Sequence, residues 1–142
     1  MRALLDINVL LALFDTGHQF HAQVRAWLAE RIEQGWASCP ITQNGFVRIV
    51  SQPAYPNHVP PATAIARLAE ACQSPYHRFW SADLGLVDGG VVDPMRIHGP
   101  KQVTDVYLLA LAVRNKGCFA TFDERVPLSA VRGATKANLH VI

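Results

Sequence analysis

Hydrophobic positions in this chain gather into short runs broken by acidic and glycine-containing turns. Val106-Tyr107-Leu108-Leu109-Ala110-Leu111-Ala112-Val113 is apolar nearly all round. It is too long for a typical strand and rich in helix formers, which predicts a core helix. Thr104 and Asp105 fall in or just before its first turn, and Arg114 and Lys116 complement the negative end of its dipole. Gly117 is expected to close the helix in the left-handed conformation. Cys118-Phe119-Ala120-Thr121-Phe122 then has the length and aromatic content of a buried parallel strand, with Asp123 at its carboxyl end, where open α/β sheets place their ligands. At the start of the chain, Arg2 to Leu5 is a second short apolar strand ending in an aspartate, Asp6. Asn8 is placed to cap a helix through Phe14.

The rest of the chain alternates in the same way. A helix is expected from about His21 to Gln34, with Val24, Trp27, Leu28 and Ile32 on one face. Gly35 closes it, and a strand follows at Trp36 to Cys39. Thr42 caps a helix carrying Phe46, Val47, Ile49 and Val50, ended by the Pro53 and Pro56 region. Pro61 or Ala62-Thr63 opens a helix through Cys72 with Ile65, Leu68 and Ala69 inward. His77 to Trp80 reads as a strand, Ser81 to Val87 as a turn or short helix, Val126 to Val131 as a turn of helix, and Leu139 to Ile142 as a last strand. Strand and helix in alternation predict a three-layer α/β/α sandwich around a mainly parallel sheet of four or five strands, as one domain over residues 1–142.

Composition narrows this picture. Half of the residues are hydrophobic, which excludes a disordered chain. No apolar run approaches bilayer length, and Asp6 interrupts the N-terminal apolar stretch where a signal peptide needs an unbroken core, so a cytoplasmic protein is expected. Cys39, Cys72 and Cys118 are isolated and suggest neither a zinc site nor a disulfide framework. His18 and His21 have no third ligand nearby. The net charge of +2 is too small to grip nucleic acid in bulk, so any RNA affinity needs a local basic patch.

The candidate chemistry lies in the acids. Asp83, Asp88 and Asp93 sit in polar, Gly- or Pro-containing surroundings and read as caps and turns. Asp6, Asp105 and Asp123 differ, because two strand ends and one helix start can converge on one edge of a parallel sheet. Three carboxylates gathered there would raise one another's pKa unless protons or a divalent cation neutralised them. Hard oxygens without a dedicated all-protein cage suit Mg²⁺ or Mn²⁺. Glu124 either joins that sphere or points to solvent. No Ser-His or Cys-His arrangement is evident in the sequence, which favours water as the nucleophile.

The runs Leu4-Leu5-Asp6-Ile7-Asn8-Val9-Leu10, Pro40-Ile41-Thr42-Gln43-Asn44-Gly45-Phe46-Val47-Arg48, Gln102-Val103-Thr104-Asp105-Val106-Tyr107-Leu108-Leu109-Ala110-Leu111-Ala112 and Ala120-Thr121-Phe122-Asp123 resemble PIN-domain ribonucleases, most of all the VapC toxins of bacterial toxin-antitoxin pairs. The resemblance implies a metal-dependent endoribonuclease. Asp6 and Asp105 would bind the ion, and Asp123 would hold a second ion or orient a water. Asn8, Asn44 and Thr104 would stand behind them, and Arg48, Lys101 and Arg125 would contact RNA. It also implies a VapB-like antitoxin partner and a homodimer. One departure stands out: many PIN domains carry a glutamate on the first turn of the third helix, where this chain has Gln43, Asn44 and Gly45. An ungapped match puts Gly45 at that position. A non-catalytic RNA- or antitoxin-binding module is therefore the alternative. A phosphatase of the haloacid dehalogenase type also opens on a strand-end aspartate, but it wants a second one where this chain has Asn8.

Overall fold

The computed structural model describes residues 1–142. Strands β1 (Ala3–Leu5), β2 (Trp36–Ser38), β3 (His77–Phe79), β4 (Cys118–Thr121) and β5 (Leu139–Val141) form one sheet in the order β3-β2-β1-β4-β5. All four pairings are parallel. Helices α1 (Ile7–Phe14), α2 (His21–Glu30), α3 (Pro40–Val50), α4 (Pro61–Cys72) and α5 (Val103–Arg114) cover it, giving the expected PIN-like α/β/α sandwich. None of them is long and apolar enough to cross a membrane.

Alternation along the two central strands decides what each face buries. Ala3 and Leu5 of β1, with Cys118 and Ala120 of β4, pack into the core under α1, α3 and α4, against Val9, Phe46 and Leu68. Leu4 and Phe119 point the other way, into the buried wall of α5 and the loop residues Trp80, Val126 and Val131. Leu5 stands opposite Ala120 in the register. The next residues along the second face are thus Asp6 and Thr121, at the sheet's carboxyl edge and on the side that α5 covers.

Several local expectations are corrected. Asp6, not Asn8, is the N-cap of α1; its side chain accepts from the Ile7 backbone, while Asn8 lies inside the first turn. Helix α3 begins at Pro40, which a first-turn position tolerates because its missing N–H would be unpaired anyway. Cys39 is its cap, and Thr42 reaches back to accept from Cys39 N at 3.0 Å. Helix α2 stops at Glu30, and Ile32–Gln34 is a separate 3₁₀ turn. On α4, Ala64 and Leu68 face inward, whereas Ile65 is 56% exposed and Ala69 is also exposed. Ile65 and Ala69 lie on the same apolar stripe as Ala64 and Leu68 but on its outer half, where they line the groove between α3 and α4.

The end of α5 shows a division of labour between neighbours. Lys116 takes the left-handed conformation, φ 56°, and Gly117 does not. Gly117 N–H reaches Ala112 O and Lys116 N–H reaches Val113 O, the paired bonds of a Schellman ending. Glycine is needed at 117 for space: a Cβ there would lie 2.5 Å from the Arg2 carbonyl oxygen and 2.5 Å from the Trp80 ring.

Candidate functional site

Asp6 is buried, yet both of its oxygens are engaged. Oδ1 accepts from Ile7 N at 2.7 Å, at the positive end of α1, and Oδ2 accepts from Thr121 Oγ1 at 2.6 Å. Thr121 Oγ1 also accepts from Asp123 N at 3.1 Å. This one hydroxyl therefore ties the end of β1 to the turn after β4. Burial holds the Asp6 carboxyl above its ordinary value, the Thr121 and Ile7 bonds draw it back, and the charge of Asp123 pushes it up again.

Asp105 enters from the first turn of α5. It is pushed up to about 6, by burial first and then by the charges of Asp6 and Asp123. Asp123 moves the opposite way. Its Oδ1 accepts from Arg125 N at 2.8 Å and faces Arg125 Nε at 3.3 Å, and these contacts, the backbone bond foremost, hold it below the usual carboxylate range. The three aspartates, drawn from segments far apart in the chain, thus share one electrostatic neighbourhood. Beside them, Asn8 Oδ1 is a buried oxygen with no hydrogen-bond partner. The donor set is all oxygen, which fits a hard divalent cation. No three His, Cys, Asp or Glu side chains stand near enough to enclose an ion by themselves.

The other predicted residues divide. Arg125 is in contact with Asp123, and Lys101 lines the adjoining cleft. Thr104 is exposed next to Asp105, and Glu124 is exposed with no ion pair. Arg48 is exposed and likewise unpaired. Asn44 is exposed on the groove between α3 and α4 and makes no side-chain hydrogen bond. Gln43 donates to Ser38 Oγ at 2.9 Å. Gly45 is buried, and a Cβ there would lie 2.3 Å from Ile7 Cδ1 and 2.8 Å from Ile7 Cγ1, so no acidic side chain fits at that place as packed. Gly45→Ala should lose about 1 kcal/mol net. Overpacking of about 1–3 kcal/mol outweighs the roughly 1 kcal/mol that alanine gains over glycine in a helix. Urea melts should show Ile7→Val, which removes Cδ1, restoring part of that loss.

Thr121 is the site residue that sequence reasoning passed over. Its signal was its place in the strand, in phase with Phe119 and two residues before Asp123. Thr121→Val removes a hydrogen bond to a buried carboxylate and should cost about 2 kcal/mol, read as a lower urea midpoint at unchanged slope, with Thr121→Ser close to wild type.

The structure also corrects the expectation that no Ser-His arrangement exists. Ser38 Oγ lies 2.8 Å from His77 Nε2, and Cys72 Sγ lies 3.5 Å from the same nitrogen. Ser38 is fully buried, His77 is nearly so beneath the Trp36 ring, and burial holds the imidazole below its usual pKa. A substrate carbonyl or phosphate has no approach to this group; it joins β2 to β3 as a satisfied polar network.

The sheet is parallel in this order, and the acids after β1, at the start of α5 and after β4 feel one another's charge at its carboxyl edge, as in the PIN-domain class; the PIN-domain family model matches residues 3–133. Ribonuclease VapC44 of Mycobacterium tuberculosis strain H37Rv is 58% identical over 139 residues, covering 98% of each chain. Ribonuclease VapC39 of the same strain is 40% identical over 134 residues, 94% of this chain and 96% of that one, and ribonuclease VapC38 is 42% identical over 125 residues, 87% and 86%. The chain belongs to the PIN-domain family, in its VapC branch.

Proposed function

We propose that the protein is a divalent-cation-dependent endoribonuclease acting as the toxin of a toxin-antitoxin pair, with Asp6, Asp105 and Asp123 holding Mg²⁺ or Mn²⁺. The observation that carries this reading is the electrostatic coupling of three carboxylates at one end of the sheet, with Asp105 pushed up to about 6 by burial and then by the charges of the other two. A cation there relieves the repulsion that the fold has built. When bound, the ion supplies a water of lowered pKa and positive charge opposite the phosphoryl oxygens of the transition state. Asp6 is fixed for this role by the α1 N-terminus and Thr121, so its oxygens need no reorganisation. Asp123 is held ionised by Arg125 and would accept a hydrogen bond from the attacking water, orienting it in line with the phosphodiester. Hydrolysis by water in this way leaves a 5′-phosphate and a 3′-hydroxyl.

The names of the relatives support an RNA substrate and a VapB-like antitoxin. For protein contacts, a groove of ≈ 390 Å³ between α3 and α4 presents Val47, Ile65, Leu68 and Ala69, an apolar surface for the antitoxin or for a second copy in a homodimer. Gly45, at the position where many PIN domains carry a glutamate, is the feature that favours the alternative of a non-catalytic binding module. Incubating total RNA with the purified protein separates the two. Cleavage is expected with Mn²⁺ or Mg²⁺ and should cease with excess EDTA; the same background with and without the ion would defeat the nuclease reading.

A further inference from the structure

Between the approach to α5 and the turn after β4 lies a cleft of ≈ 180 Å³ lined by His98, Gly99, Lys101, Gln102, Asp123 and Arg125, with no hydrophobic residue in its wall. We propose, resting on the RNA-cleaving function above, that this cleft is a subsite for an RNA phosphodiester flanking the one that is cut, held by His98, Lys101 and Arg125. Its size suits a phosphate group with a few waters, each water taking about 30 Å³.

Charge and preorganisation support the assignment. The chain's salt bridges engage Arg96, Arg114 and Arg125, so Lys101 and His98 are exposed cationic or protonatable groups with no acidic partner. Asp123 is the one acid on the wall, and Arg125 already offsets it. Gln102 latches the two sides together: its Oε1 accepts from His98 N at 2.9 Å, and its Nε2 donates to Arg125 O at 3.5 Å. The backbone on both sides of the cleft is therefore held in place before a ligand arrives, and Asp123 orients the Arg125 side chain, which reduces the ordering cost of binding. Asp123 belongs to both the cleft and the acidic edge, so a strand whose scissile phosphate lies at the acids has a neighbouring phosphate within reach of Lys101. On a chain of net charge +2, this local cluster supplies the grip that bulk charge does not. Arg48, on α3, takes no part in the cleft.

The test is binding of a labelled single-stranded RNA oligonucleotide in EDTA by the full chain, followed by cleavage kinetics with Mn²⁺. Lys101→Ala and His98→Ala are compared with Lys136→Ala, a surface lysine in the segment whose Asn138 bonds Gly117 at the opposite end of β4. Lys101→Ala should weaken binding about 3- to 10-fold at low salt and reduce the slope of log affinity against log salt by about 0.7, the signature of one lost single-strand phosphate contact. His98→Ala should weaken binding less than Lys101→Ala. KM should rise by the same factors with kcat within about twofold, while Lys136→Ala matches wild type. Wild-type affinity and salt slope in both cleft variants would overturn the subsite and leave the nuclease reading standing. The predicted loss of binding in a protein that cuts nothing would uphold the subsite and defeat the nuclease reading instead.

Discussion

Asp105→Asn is expected to lower divalent-cation-dependent RNA cleavage by at least about 100-fold while making the metal-free protein more stable. Losing a group that merely supports a metal ligand typically costs 10- to 100-fold, so loss of a proposed ligand belongs at or beyond that range. The stability gain follows from linkage. In the fold the Asp105 carboxyl titrates at about 6 instead of its ordinary 3.8, so its ionised form is the disfavoured one. The metal-free wild type should therefore gain stability as pH falls from neutrality through about 6 towards 4, and lose it again as pH rises through about 6. With solvent screening allowed for, the strain at neutral pH is roughly 1–2 kcal/mol. Asp105→Asn removes it and should flatten the pH dependence in that window. Thermal melts with and without Mn²⁺ complete the check: the ion should raise the wild-type melting temperature more than that of the variant. A variant that cuts RNA as well as wild type, or a wild type whose stability ignores pH between 5 and 7, would contradict the assignment.

Gly117→Ala is expected to cause the largest stability loss away from the acids, about 3 kcal/mol, at the top of the range for overpacking. The added Cβ meets the backbone oxygen of Arg2, which cannot rotate away, and the Trp80 ring. Arg2 O accepts from Cys118 N at 2.9 Å, so relieving the clash pushes β1 from β4 at the start of their ladder. Trp80→Leu, which takes the ring away, should recover only the smaller part of the loss, because the backbone contact remains. Urea denaturation followed by tryptophan fluorescence and, independently, by circular dichroism measures both variants.

Much of the site was legible because it obeys short-range rules. A strand that ends in an aspartate, and a buried helix that begins near one, are visible in any window containing Leu4 to Asp6 or Val103 to Val113. Thr121 was not visible as a partner of Asp6, since that bond spans 115 positions and depends on strand register. The same blindness hid Ser38, Cys72 and His77, which meet only when β2 and β3 pair. At two helix ends the fold uses a neighbour of the expected residue: Asn8 was expected to cap α1 and Gly117 to take the left-handed turn after α5. Asp6 and Asn8 are both good caps, and Lys116 and Gly117 both stand where the helix must stop. Packing chose between them: Asp6 has Thr121 opposite it, and position 117 has no room for a side chain.

The sheet places β1 at its centre, between β2 and a β4 that is synthesised much later. A nascent chain still missing β4 can bury only one flank of β1, and it lacks both Thr121 and Asp123. Such late closure of a long-range contact is slow by nature, and here it also delays the weapon. The acidic edge is not assembled until β4 has been made and has docked on β1, so, if the proposed site is the cutting site, a copy still lacking β4 should cut no RNA.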